Sequence, residues 1–142
     1  MELDEKQRTF LETHHAAAMI TIAGDGMPKA VRVGVALVQG RIWSSGTADR
    51  VRTKRLRRDP RCSLFVFDQG YSYLTVESTV TLLEGADAAR QNLQLFRVMQ
   101  HRPAGTLSWF GQELDEEAFV ARMVEEERLI YQFEPKRVYG PA

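Results

Sequence analysis

The sequence predicts an antiparallel β-barrel decorated by helices, a mainly β fold of the α+β kind, on three observations. Six stretches are strand-like, rich in β-branched and aromatic residues or alternating in polarity. Glycine-centred turns join the early ones as hairpins, and helical periodicity gathers late in the chain instead of alternating with strands as a βαβ sheet requires. At 142 residues the chain fits one domain, 1–142, long enough to bury a core.

The elements follow in order. LDEKQRTFLE (3–12) spaces Leu3, Phe10 and Leu11 for a short amphipathic helix with Asp4 as its N-cap. Strands are expected at 17–23 and 29–38 around Gly24-Asp25-Gly26, because glycine supplies the positive φ of a tight turn. Gln39-Gly40 punctuates the chain before a third strand, 41–46, that closes on the small residues Ser44, Ser45 and Gly46. Val51 and Leu56 then mark a short helix, with Thr47 or Asp49 as its cap, that must stop at Asp59-Pro60. CSLFVFD (62–68) and YSYLTVESTVTLLE (71–84) are the fourth and fifth strands. A helix runs from the cap candidate Asp87 to about His101, RPAGTLSWFGQ is a loop, and Asp115 opens a helix over EEAFVARMVEEER. LIYQFEP returns to strand patterning and KRVYGPA closes the chain.

Charge is distributed unevenly. Seven cations and one acid, Asp59, fall between Arg50 and Arg61, so the rest of the chain carries 12 basic against 18 acidic residues. A solvated helix face is the bland reading of such a run. Nucleic-acid binding is disfavoured, because the remainder is net acidic and no recognition module accompanies the patch. A compact anionic ligand fits better: arginine forks and backbone donors at a helix start make a charge-assisted phosphate site, and Ser44, Ser45, Gly46 and Thr47 just upstream are small enough to let a phosphate approach. Arg57, Arg58 and Arg61 could alternatively pair with the acidic stretch Glu113–Glu127. No apolar run is long enough to span a bilayer and the charged opening is no signal peptide, so the expectation is a cytoplasmic protein without a membrane partner.

The Ser-Ser-Gly-Thr strand end, DRVRTKRLRRDPRCSLFVF, the strand GYSYLTVES and the terminal RVYG together resemble the pyridoxamine 5'-phosphate oxidase-like split-barrel superfamily, most closely its deazaflavin (F420)-dependent actinobacterial branch. The resemblance implies a six-stranded antiparallel split β-barrel, a homodimer with the cofactor in a groove between subunits, and F420 as cofactor with FMN as the alternative. It maps the phosphate end onto Arg50, Arg52, Thr53 and Lys54, and the ring onto Lys29 to Val33, including Arg32, and onto Ser44, Ser45 and Gly46. Tyr71 and Tyr73 match aromatic positions contributed by the other subunit. Arg52 stands where a lysine is expected and Arg32 where a small amide is. The implied activity is hydride transfer between F420 and a small conjugated or unsaturated acceptor. The alternatives are an FMN-dependent oxidase or reductase and a non-catalytic cofactor carrier.

The remaining candidates are plainer. His14 and His15 read as helix-end residues, with no spacing that suggests a metal. Lone Cys62 reads as a small core residue and Trp43 as barrel packing, whereas Trp109, in a loop, is the better candidate to line a substrate pocket. No nucleophile–base set or phosphate loop is visible, which suits an enzyme whose reactive atom belongs to its cofactor.

Overall fold

In a computed structural model that describes residues 1–142, the chain opens with α1 (Glu5–Thr13). Asp4 caps it: its carboxylate accepts the Gln7 amide at 2.8 Å and the Gln7 side chain accepts the Asp4 amide at 2.9 Å, satisfying two otherwise unpaired donors. β1 (Ala16–Ile22) buries Ala17, Met19 and Thr21 at every second position, the period of a strand with one face in a core. Gly26, at φ 87°, turns the chain into β2 (Pro28–Gly34), which pairs antiparallel with β1.

The strand expected over 29–38 is interrupted at Val35. β2 ends at Gly34, and β3 (Ala36–Val38) pairs instead with β4 (Arg41–Thr47), turning through Gln39 and Gly40 at φ 53° and 78°. Two bonds pin the interruption: the Val35 amide donates to His15 O at 2.8 Å, and Ser44 Oγ donates to Gly34 O at 2.6 Å. Gly34 has no side chain because Met99 Sδ lies over it; a Cβ there would sit only 3.0 Å from the sulfur.

The helix α2 (Val51–Arg58), with Asp59 as its C-cap, stops before Pro60. Then come β5 (Arg61–Phe67), β6 (Tyr73–Leu83), α3 (Ala88–Met99), β7 (Leu107–Trp109), β8 (Gln112–Leu114), α4 (Glu116–Glu125) and β9 (Arg128–Tyr139). The main sheet has seven strands in the order β2-β1-β5-β6-β9-β4-β3. Its two edges are the two halves of one stretch of chain, so the sheet curls back on itself. Seven strands appear in place of six because the second belongs to both edges. KRVY is no tail; it extends β9 along β6 past a bulge at Glu77/Ser78.

Inside the curl, Met19, Leu64, Leu74, Val76, Leu129, Tyr131 and Phe133 form the main core, with Leu11 of α1 and Leu56 of α2 packed into the same cluster. Cys62 belongs to it, and burial pushes its thiol up to about 12, the behaviour of an inert core residue. Trp43 packs with Leu95 of α3 and Ile130, its Nε1 donating to Gln132 Oε1 at 3.0 Å. No helix is long and apolar enough to cross a membrane.

The stretch 102–112, expected as a loop, holds most of the hairpin β7–β8. Three-residue strands are too short for periodicity to reveal; what makes the turn is Phe110-Gly111 at φ 47° and 81°. Glu113 clasps this hairpin by accepting from Ser108 Oγ at 2.5 Å, Thr106 Oγ1 at 2.8 Å and Arg102 at 2.6 Å. Those donors, Ser108 foremost, lower its pKa from the usual 4.5 to about 2. A depressed folded-state pKa gives stability that is present above the unfolded value and lost as pH falls through the folded one. Hydrogen exchange in residues 106–114 is therefore expected to accelerate as pH drops from 5 toward 2, once corrected for intrinsic rates, and Glu113→Gln should remove that pH dependence.

Candidate functional site

The interrupted strand leaves two unpaired edges facing each other. β2 pairs only with β1, and β4 beyond Trp43 pairs only with β9, because β3 reaches no further than its partners 41–43. Beyond the Ser44–Gly34 bond no ladder joins residues 28–33 on one side to residues 44–47 on the other, which leaves an unzipped slot between them. Half the peptide groups along each edge point away from their one partner strand and are free to bond a ligand. The end of the slot away from the interruption lies toward the start of α2, which follows β4 directly.

That helix start is open. The sequence suggests Thr47 or Asp49 as its cap, but Thr47 Oγ1 donates to Asp49 Oδ1 at 2.8 Å, and the cap position falls to Arg50, which makes no side-chain bond to the helix. The first-turn amides thus point outward without a capping acceptor. Asp49 is held below its usual carboxylate range by the Thr47 hydroxyl.

Arg52 is half-buried. Its guanidinium lies 5.7 Å from the centroid of the Tyr131 ring, and its buried Nε has no partner. Burial lowers its pKa, opposed by Tyr131 and reinforced by Arg50 and Arg128. None of the six ion pairs in the chain involves Arg50, Arg52, Lys54 or Arg55. The other three cations of the run are engaged: Arg57 with Glu84 at 2.9 Å, Arg61 with Asp59 at 2.8 Å, and Arg58 with Ile22 O at 2.5 Å. The alternative pairing of Arg57, Arg58 and Arg61 with Glu113–Glu127 is overturned: these arginines bond Glu84, Ile22 O and Asp59, and the acids of that stretch that are paired, Glu113, Glu116 and Glu126, meet Arg102, Arg90 with Arg97, and Arg128.

Tyr131 organises this end of the barrel, and sequence reasoning passed it over. It is fully buried, and its hydroxyl shares a short hydrogen bond with Thr53 Oγ1. Because Thr53 gives its own proton to Thr47 O at 2.8 Å, Tyr131 is the donor. The phenol lies so close over Gly46 that no side chain fits there. The only prior hint was an aromatic in the strand run LIYQF.

The small residues of β4 are thus used within the fold. Ser44 bonds Gly34, Ser45 Oγ donates to Asn92 Oδ1 at 2.5 Å, Gly46 makes room for Tyr131, and Thr53 is buried. On β2, Val33 points into the core opposite Ala17; Lys29 shares that parity at the exposed end, while Arg32 lies on the outer face opposite Ala18. Arg32 borders an outer groove of about 630 Å³ with His15, Phe67 and Asp68. Tyr71 is wholly exposed, and Tyr73 stacks on Phe65 at 5.1 Å. Trp109 is no pocket residue: it is buried among Leu93, Phe119 and Met123, with Nε1 donating to Glu126 Oε2 at 3.1 Å, and its neighbour Phe110 is the exposed aromatic.

This architecture, a split antiparallel barrel with four helices, defines the class of protein. The family model described as pyridoxamine 5'-phosphate oxidase matches residues 3–139, and the chain belongs to that family. Among solved structures, the conserved hypothetical protein Rv2991 of Mycobacterium tuberculosis matches with a TM-score of 0.75 at 21% identity, over 97% of this chain and 84% of that one. An F420 reductase matches at 0.69 and 18%, over 96% and 98%, and a FAD-binding protein of Mesorhizobium loti at 0.62 and 16%, over 97% and 94%. At these identities the likeness establishes a shared fold.

The packing of Tyr131 on Gly46 is directly testable. Gly46→Ala should cost about 1–3 kcal/mol of stability in urea denaturation, the range for overpacking a filled core, because the phenol cannot withdraw without breaking its bond to Thr53.

Proposed function

We propose that this chain is a cytoplasmic, homodimeric oxidoreductase that holds a flavin-type cofactor in the slot between β2 and β4, with F420 as that cofactor and a small conjugated or unsaturated molecule as acceptor. The observation that carries the reading is the convergence of two unpaired strand edges on an uncapped helix start whose half-buried Arg52 has no carboxylate partner. The residues present fit a ribityl phosphate: Arg50, Arg52 and Lys54 supply charge and the first-turn amides of α2 supply donors, the two features of a phosphate site at a helix start. The edges 28–33 and 44–47 offer alternating amides and carbonyls to the polar rim of a flat heterocycle.

When bound, the deazaflavin supplies hydride chemistry. The chain's part is to orient it and exclude water. Tyr131 packs under Arg52, and the start of α2 would hold the phosphate, so that the ring would be oriented from that end. Four free cations, Arg50, Arg52, Lys54 and Arg55, exceed the need of one phosphate and suit the carboxylates of a polyglutamate tail, which FMN lacks. This surplus favours F420 over FMN.

The outer face of β2-β1-β5-β6 supports the dimer. It carries Ile20, Ala30, Phe65, Phe67 and Tyr73, while the helices pack chiefly on β1, β3, β4, β8 and β9. In the proposed dimer a second copy covers this face, and the wholly exposed Tyr71 is the residue expected to reach the partner's slot.

Parallel titration with FMN and with deazaflavins of different tail length tests the reading. Affinity should rise with tail length and fall with salt, and FMN should bind more weakly. Arg52→Ala should weaken binding by about 1.5–3 kcal/mol, the worth of a charge-assisted hydrogen bond. Tighter binding of FMN moves the assignment to an FMN enzyme. Tight deazaflavin binding without turnover of any acceptor makes the protein a carrier.

A further inference from the structure

The slot exists because β2 leaves β4 at Val35, and one residue holds that point from two directions. His15 accepts the Val35 amide through its backbone carbonyl at 2.8 Å, and its Nδ1 lies 2.9 Å from the Val35 carbonyl oxygen. A carbonyl oxygen only accepts, so Nδ1 carries the proton and donates. The other ring nitrogen, Nε2, is buried without a partner, which leaves the ring's single donor committed to Val35. The His101 ring sits beside it, centroids 5.5 Å apart.

From the β4 side, Ser44 Oγ engages Gly34 O. Gly34 O thus meets a side chain of β4, while both polar groups of Val35 are turned to His15 on the β1 side. The ladder that joins β3 to β4 over residues 36–38 and 41–43 ends there, and no pairing joins β2 to β4.

We propose that His15 is a positioning residue for the cofactor slot: by bonding the amide and the carbonyl of Val35 together it fixes where β2 departs from β4, and with that the width of the slot. This inference rests on the slot being the cofactor site. His15 touches neither ring nor phosphate in this account; it acts through the course of the β2 backbone.

Three substitutions separate this role from general stability. The amide nitrogen of asparagine falls close to the place of Nδ1, that of glutamine falls close to the place of Nε2, and alanine has neither. His15→Ala and His15→Gln should each lower affinity for FMN and for the deazaflavin by about tenfold, the order expected for one lost buried hydrogen bond, while His15→Asn stays near wild type. A second readout needs no cofactor: exchange of the Val35 amide should quicken in His15→Ala and His15→Gln and remain slow in His15→Asn. Equal affinities in folded Gln and Asn variants, or unchanged Val35 exchange in the Gln variant, would overturn the proposal. If the wild type binds neither FMN nor the deazaflavin, the cofactor reading fails and takes the slot's purpose with it, whereas the exchange data still show whether His15 fixes the strand.

Discussion

The interruption of the second strand at Val35 is the constraint on which the rest of the molecule depends. A continuous strand over 28–38 would give a sheet with two distant edges. Breaking it places one half against β1 and the other against β4, so that the sheet must curl, and the curl encloses the core built around Tyr131, Phe133 and Leu64. The same break keeps closure incomplete. Where β3 runs out beyond its pairing with Trp43, nothing zips β2 to β4, and a slot remains in an otherwise ladder-bonded wall.

Charge is organised around that opening. Within the acidic stretch, Glu113, Glu116 and Glu126 are paired with Arg102, with Arg90 and Arg97, and with Arg128. Exposed pairs of this kind add little stability, but none of the chain's ion pairs reaches Arg50, Arg52, Lys54 or Arg55. Arg52 is the telling member. Half-buried against an aromatic ring, with an unpartnered Nε, it has paid part of the desolvation cost of binding an anion in advance. Tyr131 connects the two themes, since it seals the barrel interior and supports both Thr53 and Arg52 at the helix start.

Much of this was legible in the sequence where local chemistry is decisive. The turn at Gly24-Asp25-Gly26, the cap at Asp4, the cap at Asp115 and the stop at Asp59-Pro60 each rest on one or two residues with strong backbone preferences. The basic helix was visible as a charge run. What was not legible depends on contacts far apart in the chain. Gly34 is the one mark of a break in PKAVRVGVAL, and the atoms that enforce the break, on His15, Ser44 and Met99, come from three other parts of the chain. Trp109 misled for a similar reason: its short flanking strands look like loop, and only the packing of α3 on α4 turns it into core. The small residues before α2 invited a phosphate, yet Ser44 and Ser45 are spent on Gly34 and Asn92 and Gly46 is covered by Tyr131, so the anion-binding capacity lies with the helix and its cations.

The central claim is that the two unpaired edges form the cofactor site. It is tested most directly by following backbone amides by NMR or hydrogen exchange as FMN or the deazaflavin is added to saturation. The account predicts slowed exchange and shifted resonances in two separated stretches, Lys29–Val33 and Ser44–Thr47, together with the first turn of α2. Binding that leaves both edges unperturbed and protects some other surface, such as the groove beside Arg32 and Asp68 alone, would contradict it.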